Sequence, residues 1–292
     1  MKLLITDLDN TLYDWVTYFA NSFQAMVRAL ANTLSVSEEK LLDEFKGVHQ
    51  RYGNSEHPFA ILELPSVRER FSDLSRAELL EALRVPLDIF NNVRDERLRL
   101  YPGVRETLEV LRKEHVLVVG HTEAIAVNAY SRLRKLGVVE YFHHLYALEA
   151  QLEPHPDPNR EVARQPPPGL ISLVPSRERK PNPALLIDIC KKEGIHLSEA
   201  CYIGDSLTRD VSMAKGAGVT AVWARYGTQY NRELWDILVR VTHWTDEDVK
   251  REAELRTLSK HVQPDYTIDR FADLLKLLSL EDNHLNIQAE LV

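Results

Sequence analysis

The chain has little cysteine, no excess of basic residues and no long hydrophobic run. Each absence excludes something. Two cysteines, Cys190 and Cys201, sit in apolar settings and lack the spacing of metal ligands. They read as small buried hydrophobes, which agrees with a reducing cytosol. The formal net charge is −8 and the sequence pI about 5.8. That argues against nonspecific nucleic-acid binding, which needs a basic face. A small anionic substrate stays open, because a local site can oppose the global sign. No apolar run approaches a membrane span, and the N-terminal one is too short for a signal-peptide core. The expectation is a soluble cytoplasmic protein without membrane or nucleic-acid partners. Nothing fixes its oligomeric state, and no internal repeat is visible.

The 292 residues have an ordinary hydrophobic fraction of 44%, enough for a sizeable core. KLLIT near the N-terminus predicts a short buried strand. From Trp15 to Leu100 the apolar residues recur at helical spacing, with Ser37 as a candidate cap and Gly53 as a candidate stop. From Tyr101 onward, strands and helices alternate. VLVVG, LYAL, ACYIG, VTAVWA and DYTI read as strands. EAIAVNAYSRLRKLG, PALLIDICKKEG, LTRDVSMAKGAG and FADLLKLLS read as helices. This alternation predicts an α/β fold: a Rossmann-like three-layer core with a parallel sheet, plus an inserted α-helical cap domain. Residues 1–13 and 101–292 form the core in this reading, and 14–100 the cap.

Two stretches break the rhythm. The proline-rich segment within 149–179 reads as an extended loop. The stretch 225–263 holds a charged helix, WTDEDVKREAELRTLSKH, that lines a site mouth, makes a subunit contact or simply faces solvent. The last residues, EDNHLNIQAELV, read as a weakly helical tail.

Ligands of parallel α/β sheets bind at the carboxyl ends of strands, so the residues there carry most weight. The first strand runs straight into Asp7, Asp9 and Thr11. His121 and Thr122 follow the second. Lys180 precedes Asn182 and Pro183 before a helix. Asp205 and Asp210 follow ACYIG. Each has a plain structural explanation. Asp suits turns, Thr122 suits a helix N-cap, and Lys180 suits a solvated loop. Asn182 with Pro183 makes a capped helix start, and Asp205 and Asp210 suit a first turn.

Taken together the acids imply more. Four carboxylates converging at one sheet end repel one another, about 4 kcal/mol for unit charges ~4 Å apart at an effective dielectric of ~20. Such a cluster calls for a cation or a shared proton. An all-oxygen set suits Mg²⁺ rather than zinc. Phosphate then fits the open site, with Lys180 neutralising its oxygens and Thr122 donating a hydrogen bond. Alternation along the strand points His121 away from Thr122.

The order DxDxT, then Thr, then Lys, then GDxxxxD resembles the haloacid dehalogenase superfamily of phosphohydrolases. The likeness covers Met1 to about Ala224 and Asp265 to about Leu278. The helical stretch lies where one subclass carries its cap. The resemblance implies a Mg²⁺-dependent phosphatase acting on a small phosphorylated metabolite through an aspartyl-phosphate intermediate. Asp7 is then the nucleophile and Asp9 the acid and base. Asp7, Asp205 and the backbone carbonyl of Asp9 hold Mg²⁺, and Thr122 and Lys180 bind phosphate. Thr11 and Asp210 support. Dehalogenase members lack an acid at the second position, so Asp9 favours phosphate chemistry. A phosphomutase and a non-catalytic binding protein on the same fold are the alternatives. The segments 122–180 and 225–263 are longer than the family usually has. His49, Arg51, Tyr52 and His57 of the cap are candidates for leaving-group contact or for ordinary surface. Members with such caps act on phosphoglycolate, nucleoside monophosphates or sugar phosphates.

Overall fold

The computed structural model describes residues 1–150, 152, 154 and 158–277. The tail EDNHLNIQAELV and the last two residues of FADLLKLLS lie outside them.

Seven parallel strands form one sheet: β1 (Leu3–Thr6), β2 (Leu117–Ile125), β3 (His144–Leu148), β4 (Ile171–Val174), β5 (Ala200–Gly204), β6 (Thr220–Ala224) and β7 (Tyr266–Ile268). The order across the sheet is β4-β3-β2-β1-β5-β6-β7. β1 is central, paired with β2 on one side and β5 on the other. A strand covered on both faces must be apolar throughout, and Leu3, Leu4 and Ile5 are all fully buried. Leu3 and Ile5 join one core layer and Leu4 the other, as alternation along a strand requires. The strand order also reverses at β1, and such switch points open a crevice at the carboxyl ends.

Between β1 and β2 come α1 (Trp15–Leu34), α2 (Glu38–Tyr52), α3 (Pro65–Arg70), α4 (Arg76–Ala82), α5 (Arg84–Arg97) and α6 (Val104–Lys113). The first five form the helical insertion, and α6 lies against the sheet. Asp14 caps α1 by accepting from Thr17 N at 2.8 Å. Ser37 caps α2, and Gly53 ends it at φ 60°, a conformation that costs glycine least. Val16, Phe19, Phe23, Val27 and Leu30 make the buried stripe of α1. This stripe is continuous with the core layer beneath α6 and α7 (Ala126–Lys135).

The rest of the core uses α8 (Pro158–Arg164), α9 (Pro183–Lys192), α10 (Ser212–Ala217), α11 (Arg232–Val241) and α12 (Asp246–Leu258). α9 and α10 cover the opposite sheet face through Leu186, Ile189, Met213 and Ala214. Helices on both faces make the three-layer architecture that the strand–helix alternation predicts. No helix among the described residues is long and apolar enough to cross a membrane.

Three expectations need correction. The proline-rich stretch is not all loop: it carries α8 and the edge strand β4, which pairs with β3 from Leu145↔Ile171 to Leu148↔Val174. The strand VLVVG does not end at Gly120. It runs on to Ile125, with an irregular register after His121, so α7 starts at Ala126. Thr122 is therefore inside β2 and caps no helix. The segment 225–263 does hold the charged helix α12, which buries no residue, but α11 precedes it. α11 places Leu238 and Val241 in the core layer shared with α1 and α2.

Candidate active site

The turn after β1 is built to hold two acids at the sheet edge. Asp7 N continues the ladder by donating to Ile203 O at 2.9 Å. The chain then folds back, with Leu12 N donating to Leu8 O and Asn10 N to Tyr13 O, both at 2.9 Å. Asn10 adopts φ 56°, which asparagine tolerates better than most residues. Its Oδ1 accepts from Trp15 N at 3.1 Å, locking the turn to the start of α1. Thr11 Oγ1 donates to Asp7 Oδ2 at 3.3 Å.

Two glycines keep this turn close to its neighbours. A Cβ on Gly227, in the turn after β6, would lie 1.9 Å from the Asn10 carbonyl oxygen and 2.8 Å from Asp205 Cβ. A Cβ on Gly204 would lie 2.3 Å from Asp210 Cγ. The approach of the strand ends thus depends on the missing side chains. Tyr226 OH donates to Thr11 O at 2.6 Å and Trp223 Nε1 to Asp205 O at 2.8 Å, tying β6 to the same edge.

Asp7, Asp205 and Asp210 each offer an oxygen, and these atoms all lie within 4.8 Å of one another. Lys180 Nζ reaches Asp7 Oδ1 at 2.5 Å and Asp210 Oδ1 at 2.8 Å. Asp210 also accepts from Tyr202 OH at 3.1 Å and Ser206 N at 3.0 Å. Burial pushes the Asp7 carboxyl up to about 7, Lys180 opposes this, and the charge of Asp210 adds to it. Burial first, then Asp210 and Asp7, raise Asp205 well above the carboxylate range. For Lys180, burial works against the charged form, but Asp210 and Asp7 outweigh it and hold the ammonium well above its ordinary value. Two buried acids and a half-buried one, with one ammonium beside them, are short of positive charge. An all-oxygen donor set of this kind fits a hard divalent cation.

Lys180 is delivered by the loop before α9. Its backbone N donates to Glu123 Oε1 at 3.1 Å, and Asn182 Oδ1 accepts from Leu185 N at 3.3 Å to start the helix. Thr122 is buried one strand over, with Thr6 paired to Gly120 in the register. Its hydroxyl accepts from Ala124 N at 3.0 Å. His121 lies on the opposite side of β2, buried, with Nδ1 3.4 Å from Tyr202 OH. Burial, then Lys180, keeps its imidazole neutral.

Asp9 does not join the triad through its side chain. Its Oδ1 accepts from Arg132 Nη1 at 2.8 Å. Arg132 also pairs with Glu56, from the loop after α2, and its guanidinium sits over the Tyr18 ring at 5.4 Å. Asn128 Nδ2 donates to Glu56 O at 3.1 Å and holds that loop to α7. Sequence reasoning missed both Arg132 and Glu56. The signal for Arg132 was there: it falls between Ala129 and Leu133 on the apolar face of α7, where a charge needs a partner.

The four cap candidates are engaged elsewhere. Arg51 Nη1 and Tyr52 OH donate to Glu63 at 3.1 and 2.6 Å, and Tyr52 stacks on His57 at 3.6 Å. His49 is buried, and its Nδ1 donates to Val241 O in α11 at 2.7 Å.

Fold and site together define a hydrolase class. The chain belongs to the haloacid dehalogenase-like hydrolases, whose family model matches residues 1–218; a related hydrolase-like model matches 178–274. Among curated proteins it is similar to a glyceraldehyde 3-phosphate phosphatase of Methanopyrus kandleri. The two are 27% identical over 284 residues, covering 95% of this chain and 97% of the relative. A phosphoglycolate phosphatase of Vibrio parahaemolyticus is 27% identical over 239 residues, 80% of this chain and 88% of the relative. Among solved structures, 2-haloacid dehalogenase from Pseudomonas syringae pv. Tomato DC3000 shares the fold. Its TM-score is 0.57 at 18% identity, covering 96% of this chain and 98% of that one.

Proposed function

We infer that the protein hydrolyses a small phosphomonoester through a phospho-aspartate formed on Asp7. The observation that carries this reading is the triad of Asp7, Asp205 and Asp210, two of them buried, with Lys180 seated on Asp7 and Asp210. The relatives named as glyceraldehyde 3-phosphate and phosphoglycolate phosphatases support a small phosphorylated metabolite, and they differ in whether the leaving group carries a carboxylate.

In this mechanism an Asp7 oxygen attacks phosphorus as the ester P–O bond breaks. Asp9 gives its proton to the departing alkoxide, and the alcohol leaves. Asp9 then takes a proton from water, whose oxygen attacks phosphorus and releases phosphate and Asp7. Lys180 and Thr122 bind the transferring phosphoryl oxygens, and Thr11 orients Asp7. Asp7, Asp205 and the backbone carbonyl of Asp9 would hold Mg²⁺, with Asp210 in support; when bound, the ion offsets charge on the phosphoryl group. Asp210 and Tyr202 fix Lys180 meanwhile.

The test is phosphate release from a phosphomonoester panel, with Mg²⁺ or EDTA, for wild type and Asp7→Asn. Release that requires Mg²⁺ and vanishes in the variant is the expected result. A Mg²⁺-dependent rise in thermal midpoint, absent in Asp205→Asn, tests the metal ligands without turnover. Equal release by wild type and Asp7→Asn overturns the assignment.

A further inference from the structure

The leaving group emerges beside Asp9 if the proposed function holds, and the inference here rests on that reading. The residues around Asp9 therefore describe what the leaving group must resemble. Arg132, the cation at this point, is already occupied. It is 3% exposed, donates to Asp9 at 2.8 Å and to Glu56, and lies over Tyr18. Both branches of its guanidinium end on carboxylates. Among the described residues of this edge, Arg209 pairs with Glu123 and Glu252 at 3.0 and 2.9 Å, while Arg179 donates to the Gly53 carbonyl, on the insertion, at 3.0 Å.

Charge points the same way. Asp7, Asp9, Glu56, Asp205 and Asp210 face Lys180 and Arg132. A bound divalent ion would leave the carboxylates slightly in excess, before the phosphate adds its own negative charge. A second anionic group entering beside Asp9 would meet these carboxylates and an Arg132 already committed to two of them, and like charges so placed reject a partner.

We propose that the substrate carries an uncharged leaving group, and that Glu56 sets this specificity by occupying Arg132 against carboxylate-bearing phosphomonoesters. Glu56 is a specificity residue acting through Arg132. It is supplied by the helical insertion, so the insertion reads the leaving group while the sheet edge binds the phosphate.

Three esters with one carbon skeleton test this: glyceraldehyde 3-phosphate, glycerol 3-phosphate and 3-phosphoglycerate. Wild-type kcat/KM should favour the two neutral leaving groups over the carboxylate by about tenfold or more. Glu56→Gln, which keeps the shape and drops the charge, should narrow that ratio, chiefly through a lower KM for 3-phosphoglycerate. Glu56→Asp should keep the discrimination. Wild-type preference for 3-phosphoglycerate, or equal turnover of all three, overturns the inference and leaves the phosphatase reading standing. A Glu56→Gln variant that alters all three esters by one factor makes Glu56 structural and also overturns it. If Glu56→Gln fails to fold, the wild-type ratio and Glu56→Asp still decide. Release from other members of the phosphomonoester panel but from none of these three overturns the inference alone, and no release from the whole panel overturns the phosphatase reading and the inference with it.

Discussion

Arg132 joins Asp9, two residues beyond the end of the central strand's acid, to Glu56, which the helical insertion delivers from 76 residues away in the chain. Core and insertion thus meet in one ion triad around a buried guanidinium. The guanidinium serves the fold and the site together.

Replacing Arg132 by Met should be costly. It leaves two carboxylates near apolar surroundings without their cation. Breaking a buried ion pair from one side typically costs about 3–5 kcal/mol. Urea unfolding of Arg132→Met should show a loss of that order. The double variant Arg132→Met, Glu56→Gln should recover part of it, since one stranded charge has gone. Equal stability of the single and double variants would show that Glu56 is not the partner that matters.

Gly227→Ala should damage activity more than its size suggests. The added methyl would sit 1.9 Å from the Asn10 carbonyl, so the turn holding Asp9 and Thr11 must retreat. Overpacking of this kind costs about 1–3 kcal/mol, and displacing the turn by an ångström can cost about a hundredfold in rate. Steady-state kinetics beside a thermal melt separate the two. A variant with wild-type kcat/KM would mean the turn moves freely.

His49 should make the fold acid-sensitive in a definable window. Burial lowers its pKa from 6.5 to about 4, and the Val241 carbonyl partly opposes this. The unfolded chain therefore binds the proton first. The stability tied to neutral His49 is complete above about pH 6.5, falls as pH drops, and levels off near 4. Asp7, raised to about 7, has the opposite sign, so the measurement is a difference. The urea midpoint of wild type should lose more between pH 7 and 4.5 than that of His49→Gln. Parallel losses would place the proton-sensitive contact elsewhere.

Much of the sheet and both acid-bearing strand ends were legible because they are local. A short apolar run ending in Asp7 needs no distant partner to be recognised as a buried strand. β4 was hidden for the converse reason. ISLV is an edge strand whose residues are mostly half-buried or exposed, set among prolines. α11 carried its signal in Leu234, Trp235, Leu238 and Val241, at helical spacing. What its apolar face covers could not be read, since α1 and α2 lie some two hundred residues earlier. Glu56 and Arg132 were silent singly: a loop glutamate and one arginine among Arg132, Arg134 and Lys135 acquire meaning only when the fold brings them together.

The seat of His49 on Val241 also has a consequence for how the chain is made. The two are 192 residues apart, and α11 completes the cover over α1 and α2. At about 5–20 residues per second, the helical insertion leaves the ribosome ~10–40 s before the helix that closes over it has been synthesised. During that interval the face of Phe23, Phe45 and His49 that meets α11 stands open to water. The nascent insertion therefore waits with an uncovered apolar face until α11 has been made.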